Sequence, residues 1–163
     1  ATTEGGTTRV GNDCFLMGFS HVGHDCVLHD KVVLANTGLL AGHSEVMEGA
    51  NISGGCVVHQ FTRIGRLVMF QGNTAIGKDV PPFMLCRKVN EVAGVNIIGL
   101  RRSGFSADAR KEVRQAYKIL YRRGLSLPRA LEALREGDYG PEVQEIIDFV
   151  NESKRGICLN SGE

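Results

Sequence analysis

A six-residue repeat constrains this chain more than any other feature of its sequence. Every sixth residue from Val10 to Ile76 is apolar, twelve of twelve without a gap. At an apolar content of 42%, chance would give such a run in a fixed phase about three times in 100,000, so the pattern predicts a repeat architecture. An amphipathic helix would show a period of about 3.6 and a half-buried strand a period of about 2. Neither period fits.

Each of these apolar residues is followed, four positions later, by a small or β-branched residue. In a coil of short flat strands, the large side chain fills the interior and the small one lets the chain turn at a corner. Three hexads make one triangular turn of about 18 residues, so residues 10–81 predict about four turns, stacked at about 4.8 Å. The small series is Cys14, Ser20, Cys26, Val32, Gly38, Ser44, Ala50, Cys56, Thr62, Val68, Thr74 and Val80.

The chain divides into two parts of different composition. Residues 1–100 hold 15 of the 21 glycines and all five histidines, whereas residues 106–155 hold 19 of the 37 charged residues. Consecutive prolines cannot donate to a strand ladder, so Pro81-Pro82 is expected to end the repeat. We therefore predict a repeat domain over 1–82, an irregular connector over 83–105 and a helical domain over 106–163.

The charged part predicts three amphipathic helices. Ser106 and Ser126 are suitable N-caps, and Gly140-Pro141 supplies a start with proline in the first helical turn. The predicted fold class is thus all-β plus α, a parallel β-helix of hexapeptide repeats followed by a small C-terminal helical domain. The helices are expected near 107–123, 127–136 and 141–154.

Composition excludes several classes of protein. The 19 basic and 18 acidic residues balance, whereas a nucleic-acid binder needs a basic surplus. No apolar run of about 18 residues could form a transmembrane helix, and the start ATTEGG has neither the basic nor the apolar region of a secretory signal. The five cysteines form no CxxC pair, which excludes a zinc ribbon and favours buried thiols in a reducing compartment. We expect a cytoplasmic protein.

The length of one turn predicts which side chains stack. Residues one turn apart lie above one another, which places His24, Gly42 and Gln60 in one column. Asp25 and His43 share the next column. Four of the five histidines thereby gather in one patch: His24 and His43 from the two columns, and also His21 and His59.

This patch holds the groups that acyl transfer to a hydroxyl requires. Histidine titrates near neutrality and is the usual general base. A carboxylate such as Asp25 can fix the tautomer of a neighbouring imidazole and stabilise the imidazolium that forms. Gly42 has no side chain and can bring its backbone N–H close to a developing oxyanion. His24 is therefore the candidate general base.

Five segments of the chain carry a family resemblance. They are HVGHDC (21–26), LLAGHSEV (39–46), VVHQF (57–61), DVPP (79–82) and GVNIIGLRRSGFS (94–106). Together they resemble the C-terminal part of the bacterial UDP-N-acetylglucosamine acyltransferases. The resemblance implies a left-handed coil. It also implies the first step of lipid A synthesis, in which a 3-hydroxyacyl chain moves from acyl carrier protein to the sugar 3-hydroxyl.

The resemblance further implies residue roles and partners. His24 would be the general base, Asp25 would support it, and Gly42 would supply the backbone contact to the oxyanion. Gly72 matches the position that gauges acyl-chain length. Acyl carrier protein would present the acyl group on its own phosphopantetheine, so no resident cofactor and no metal are expected, and a homotrimer would supply grooves between copies. Contacts with the sugar nucleotide or the acyl donor are implied for His21, His43, His59, Gln60, Asn96 and Arg102.

Two alternatives remain open on the sequence. One is a zinc enzyme of the same coil, similar to the γ-type carbonic anhydrases, since zinc needs three side chains that converge at about 2 Å. The pairing of His24 with Asp25, and the glycine in the same column, favour a base instead. The other is an inactive fragment or assembly module, because the first turn offers an open sheet edge. The zinc ligands would come from His21, His24, His43 and His59.

Overall fold

The first half of the chain is a coil of very short strands. The structure is a computed structural model that describes residues 6–158; residues 1–5 and 159–163, at the ends of the predicted domains 1–82 and 106–163, lie outside the described part. Each strand is two residues long and begins six residues after the previous one. The strands are β1 (Arg9–Val10), β2 (Phe15–Leu16), β3 (His21–Val22), β4 (Val27–Leu28), β5 (Val33–Leu34), β6 (Leu39–Leu40), β7 (Glu45–Val46), β8 (Asn51–Ile52), β9 (Val57–Val58), β10 (Arg63–Ile64), β11 (Met69–Phe70) and β12 (Ala75–Ile76).

The twelve strands form three walls. Wall 1 contains β1, β4, β7 and β10, wall 2 contains β2, β5, β8 and β11, and wall 3 contains β3, β6, β9 and β12. Neighbours in a wall are parallel and pair residues 18 apart, as in Arg9 with Val27 and Leu39 with Val57. The predicted parallel β-helix, with three hexads in each turn, is therefore confirmed.

The second residue of each strand points into the coil and holds it together. Leu28, Leu34 and Leu40 are almost completely buried, one on each wall. Burial of a leucine side chain contributes about 1.5 to 3 kcal/mol, so the repeat supplies a continuous core. Val10 and Leu16 occupy the same inward positions but remain 47% and 42% exposed, because no described turn covers them.

Each corner of the coil uses one residue in the left-handed backbone conformation. These residues recur every six positions from Asp13 to Asn73, and nine of the eleven are not glycine. A left-handed residue with a side chain costs about 1 to 2 kcal/mol, which the ladders and the core must offset. The small residue of each hexad follows directly and packs inside the corner, as Cys26 and Cys56 do.

The coil continues beyond the prolines, and the prediction of an irregular connector over 83–105 is wrong. Val80 still bridges to Ile64, and the hairpin of β13 (Met84–Arg87) and β14 (Glu91–Val95) joins wall 2, where Cys86 pairs with Phe70. Pro81-Pro82 is accommodated because it follows Val80, whose N–H donates to the carbonyl of Arg63, so this rung is complete before the chain reaches the prolines. Gly65 permits this approach, since a Cβ there would overlap the backbone of Pro82.

Four helices follow the hairpin. The last three begin at the predicted residues and end one or two residues earlier than predicted. Arg66 of the coil joins α4 through a bidentate contact with Glu145, with nitrogen–oxygen distances of 2.6 to 3.2 Å. No helix of the described residues is long and apolar enough to cross a membrane. The helices are α1 (Ile97–Arg102), α2 (Ala107–Tyr121), α3 (Leu127–Arg135) and α4 (Pro141–Glu152).

Candidate active site

The predicted site residues meet mainly at one corner of the coil. We call the turns that lead from wall 3 to wall 1 the histidine corner, and they comprise residues 23–26, 41–44, 59–62 and 77–80. The backbone N–H of His43 donates to the carbonyl of His24, and the N–H of Phe61 donates to the carbonyl of Gly42. These bonds hold successive turns in the predicted columns.

His24 and Asp25 form a hydrogen-bonded pair. Nδ1 of His24 lies 2.9 Å from Oδ2 of Asp25. The Asp25 side chain is 7% exposed, whereas that of His24 is 40% exposed. A mostly buried carboxylate therefore holds an accessible imidazole, and it favours the tautomer with the proton on Nδ1 and the lone pair on Nε2.

Gly42 lies directly against the His24 ring. A Cβ at this position would overlap the ring atoms Cε1, Nε2 and Nδ1. Among the described residues, the backbone N–H of Gly42 donates to no acceptor. The turn length predicts that His24 and Gly42 share a column, and the structure brings the imidazole into contact with this glycine.

His43 completes a compact cluster with the pair. Its Nε2 lies 3.7 Å from the same Oδ2 of Asp25, and its ring meets the edge of the His24 ring at a centroid distance of 5.1 Å. Phe61 stacks on the His43 ring at a centroid distance of 4.6 Å. Asp25, His43 and Phe61 are successive left-handed residues of one column, which explains why their side chains project in the same direction.

His59 and Gln60 lie one turn further along the same corner, and both are exposed. Nδ1 of His59 is 3.1 Å from the carbonyl oxygen of Gln60 and 3.4 Å from Nη2 of Arg155. His21 is the exposed first residue of β3 and pairs with Leu39 in wall 3. His21 therefore lies on the wall that leads into the corner.

A cleft of about 520 Å³ opens beside the cluster. His43 and Phe61 form one side of it, and Lys154 and Arg155 from the C-terminal segment form another. Sequence reasoning missed three of these residues, namely Phe61, Lys154 and Arg155. Phe61 could have been found, because it lies one turn beyond His43, but no local signal points from Arg155 to the coil.

Three of the predicted site residues lie away from the histidine corner of their own chain. Gly72 is at the corner from wall 2 to wall 3, where a Cβ would meet only the Gly54 carbonyl at 3.5 Å. Asn96 caps α1 by accepting from the N–H of Gly99, and it donates to the carbonyl of Leu67 at the corner from wall 1 to wall 2. Arg102 is exposed in the last turn of α1.

The cluster also has the composition of a small metal site. His24, Asp25 and His43 each offer one ligand atom, a ring nitrogen or a carboxylate oxygen. These three atoms lie within 4.8 Å of one another. Two imidazoles and a carboxylate are a donor set that zinc accepts. These three residues fit a metal, whereas no such grouping within residues 6–158 includes His21 or His59.

Comparisons with known proteins match the whole described fold. The family model described as Udp N-acetylglucosamine O-acyltransferase, Domain 2, matches residues 79–158. The acyl-(acyl-carrier-protein)–UDP-N-acetylglucosamine O-acyltransferases of Burkholderia orbicola and Gloeothece citriformis are both 42% identical to the chain, over 93% and 94% of its length. The structure of Francisella novicida UDP-N-acetylglucosamine acyltransferase matches 94% of the chain at 34% identity, with a TM-score of 0.89.

The similarity to these proteins shows the fold class of the chain. The chain is a hexapeptide-repeat protein with a left-handed β-helix, since a coil of the opposite hand would not superpose on its relatives. More particularly, the chain is similar over nearly all of its length to the UDP-N-acetylglucosamine O-acyltransferases. It spans 60% and 56% of the lengths of the two curated relatives and 57% of the Francisella chain.

Proposed function

We propose that the protein that carries this sequence is an O-acyltransferase with His24 as its general base. It transfers a 3-hydroxyacyl group from acyl carrier protein to the 3-hydroxyl of UDP-N-acetylglucosamine, in the cytoplasm, as the first step of lipid A synthesis. The observation that carries the proposal is the hydrogen bond of 2.9 Å between His24 and Asp25, together with the contact of the His24 ring with Gly42, whose N–H has no acceptor among residues 6–158. The names of the relatives supply the two substrates.

The mechanism follows from the positions of three groups. Asp25 accepts a hydrogen bond from Nδ1–H of His24, so the lone pair of the imidazole is on Nε2, which removes the proton from the sugar hydroxyl. The hydroxyl oxygen attacks the thioester carbonyl and forms a tetrahedral oxyanion, which accepts a hydrogen bond from the N–H of Gly42. When the intermediate collapses, the carbon–sulfur bond breaks. The departing phosphopantetheine thiolate then takes the proton back from the imidazolium of His24.

The remaining predicted contacts require more than one copy of the chain. His24, Gly72 and Asn96 lie at three different corners of one coil, so a single substrate groove can include all three only where two copies meet. A homotrimer provides such grooves. In it, His21, His43, His59 and Gln60 of one copy would contact the sugar nucleotide or the acyl donor, and Asn96, Arg102 and Gly72 would complete the groove.

The test is a pair of histidine substitutions. His24→Ala should lower kcat by about 100-fold or more, because a general base contributes about 10² to 10⁴ in rate, while the unfolding temperature stays unchanged. His29→Ala is the matched control, since His29 is equally exposed but pairs with Glu45 outside the histidine corner. The assay measures acylated sugar nucleotide formed from 3-hydroxyacyl carrier protein. Near-normal turnover by His24→Ala would refute the general-base assignment.

A second candidate is a zinc hydratase, which the cluster of His24, Asp25 and His43 favours. In such an enzyme, zinc bound by these side chains would lower the pKa of a bound water. Metal analysis and chelation separate the two candidates. The acyltransferase should keep its turnover after treatment with a chelator, whereas stoichiometric zinc with chelator-sensitive hydration of carbon dioxide would support the hydratase. A protein with neither activity would support the inactive fragment or assembly module.

A further inference from the structure

The C-terminal segment, Ser153–Cys158, is built onto the histidine corner. Asp79, which is 1% exposed, continues the column of Asp25, His43 and Phe61 by one turn. Its Oδ2 accepts from the hydroxyl of Ser153 at 2.7 Å. Its backbone N–H donates to the carbonyl of Gly156, and its carbonyl accepts from the N–H of Cys158. A buried carboxylate and a short parallel bridge thus fix this segment beside the candidate site.

Because the segment is held in this way, the guanidinium of Arg155 lies next to His59. Nε and Nη2 of Arg155 lie 3.3 and 3.1 Å from the carbonyl oxygen of Gly77, and Nη2 lies 3.4 Å from Nδ1 of His59. Gly77 directly follows His59 in its column, one turn away. The guanidinium is therefore held in place by a neighbouring turn and faces the imidazole edge.

The contact between Arg155 and Nδ1 of His59 favours one tautomer of the neutral imidazole. An arginine side chain has only donors and remains protonated, so it can offer His59 a proton but cannot accept one. Nδ1 of His59 is also 3.1 Å from the carbonyl of Gln60, to which a protonated Nδ1 would donate. That arrangement would set an N–H of His59 against an N–H of Arg155, whereas the other tautomer sets the Nδ1 lone pair against the Gln60 carbonyl. A hydrogen bond from a charged donor is about twice as strong as a neutral one, so the contact with Arg155 prevails.

We propose that Arg155 is a positioning residue that holds neutral His59 in the tautomer with its proton on Nε2. Nδ1 then accepts from Arg155, and Nε2 becomes a hydrogen-bond donor toward the substrate. A donor suits the oxygen atoms of a hydroxyl, carbonyl or phosphate group. The role in binding rests on the proposed function, whereas the choice of tautomer is a property of the free protein.

Nitrogen NMR of the histidine rings tests the tautomer without an activity assay. At a pH at which His59 is neutral, the unsubstituted protein should show an unprotonated Nδ1 and a protonated Nε2. Arg155→Ala should make the Nδ1–H form the major one, because the Gln60 carbonyl is then the remaining partner. Arg155→Met, which keeps an apolar side chain, should give the same result if the fold is sensitive to the alanine. Lys154→Ala is the matched control and should leave the tautomer of His59 unchanged.

A mutant cycle tests the consequence for binding. Loss of one hydrogen bond worth about 0.5 to 1.5 kcal/mol corresponds to about a 2- to 10-fold change. Arg155→Ala should raise the KM of the same substrate as His59→Ala by such a factor, with kcat changed less than about twofold. In the double variant the two effects should not add, because one acts through the other.

The outcomes separate this proposal from the proposed function. An Nδ1–H tautomer in the unsubstituted protein, or no change of tautomer in Arg155→Ala and Arg155→Met, would overturn it. Fully additive effects in the double variant would overturn the role in binding. If His24→Ala kept its turnover while the tautomer still depended on Arg155, the general-base assignment alone would fail.

Discussion

The imidazole of His24 occupies the space that a side chain on Gly42 would fill. A Cβ on Gly42 would overlap three atoms of the ring, although the two residues are 18 positions apart in the sequence. A glycine is thus needed at position 42 because the His24 ring lies over it, and not because the backbone there adopts a left-handed turn conformation. This relationship makes Gly42 a test of how closely the candidate base must be held.

Gly42→Ala should impair turnover without unfolding the coil. The atoms that a Cβ would meet first belong to the His24 side chain, which can swing aside. A displacement of about 1 Å can cost about 100-fold in rate, so we expect kcat to fall by about that factor while the unfolding temperature changes little. Gly94→Ala is the control, since its Cβ would meet nothing within 4 Å. Unchanged kcat in Gly42→Ala would contradict the proposed geometry.

The two serine caps that the sequence predicts should differ in their effect on stability. The hydroxyl of Ser106 accepts from the N–H of Ala109 at 3.0 Å, whereas Ser126 caps α3 without a side-chain hydrogen bond. Ser106→Ala should lower the free energy of unfolding by about 1 kcal/mol, and Ser126→Ala should have almost no effect. Denaturant unfolding of both variants measures the difference. Equal losses would show that the hydroxyl of Ser126 bonds in solution.

The coil could be predicted because one local rule repeats over twelve strands. Leu28, Leu34 and Leu40 each fill the interior from a different wall, and a one-residue slip would turn every such side chain outward. The register is therefore fixed by the hydrophobic pattern alone. That register placed His24 over Gly42, and the structure shows this contact.

The end of the coil could not be predicted, because the repeat stops before the ladder does. Val80 and Cys86 pair with residues 16 positions earlier, and Val89 pairs with Ala75, 14 positions earlier. No six-residue pattern marks these shorter turns. The prolines cannot donate to a ladder, but they come only after the N–H of Val80 has bonded to the carbonyl of Arg63.

The candidate site could be predicted only as far as the columns reach. Asp25 and His43 follow from the turn length, whereas the approach of Arg155 to His59 joins residues 96 positions apart in different domains. It depends on Asp79, whose burial and bond to Ser153 arise from the packing of the C-terminal segment. Contacts between the coil and the C-terminal segment leave no periodic pattern in the sequence.

The ion pair between Arg66 and Glu145 should stabilise the packing of α4 on the coil. The Arg66 guanidinium also lies over the rings of Phe83 and Phe105, 5.0 and 5.2 Å from their centres. Arg66→Ala removes all of these contacts, so we expect the free energy of unfolding to fall by about 2 kcal/mol. Lys31→Ala is the control, because the side chains of its ion pair with Glu48 are 64% and 48% exposed, and it should leave urea unfolding almost unchanged. A similar response of both variants would show that the pair to α4 contributes little.

The buried thiol of Cys158 should make the fold sensitive to alkali. Burial raises the pKa of Cys158 to about 12 from an ordinary value of 9.0. The unfolded chain then releases this proton at a lower pH than the folded chain does. Stability is therefore fully present below pH 9, and it decreases as the pH rises from about 9 toward about 12. Burial also raises the pKa values of Cys86 and Tyr121, which adds to the effect.

Urea unfolding measured between pH 8 and about pH 11 tests this dependence. A shift of one pKa unit corresponds to about 1.4 kcal/mol, so the loss contributed by Cys158 should be on the order of a few kcal/mol at the alkaline end. Cys158→Ala should make the loss with pH shallower. Thiol labelling at pH 8 gives a second reading, because the half-buried Cys14 should react long before Cys158. Labelling of Cys158 as fast as that of Cys14 would mean that the C-terminal segment opens readily in solution.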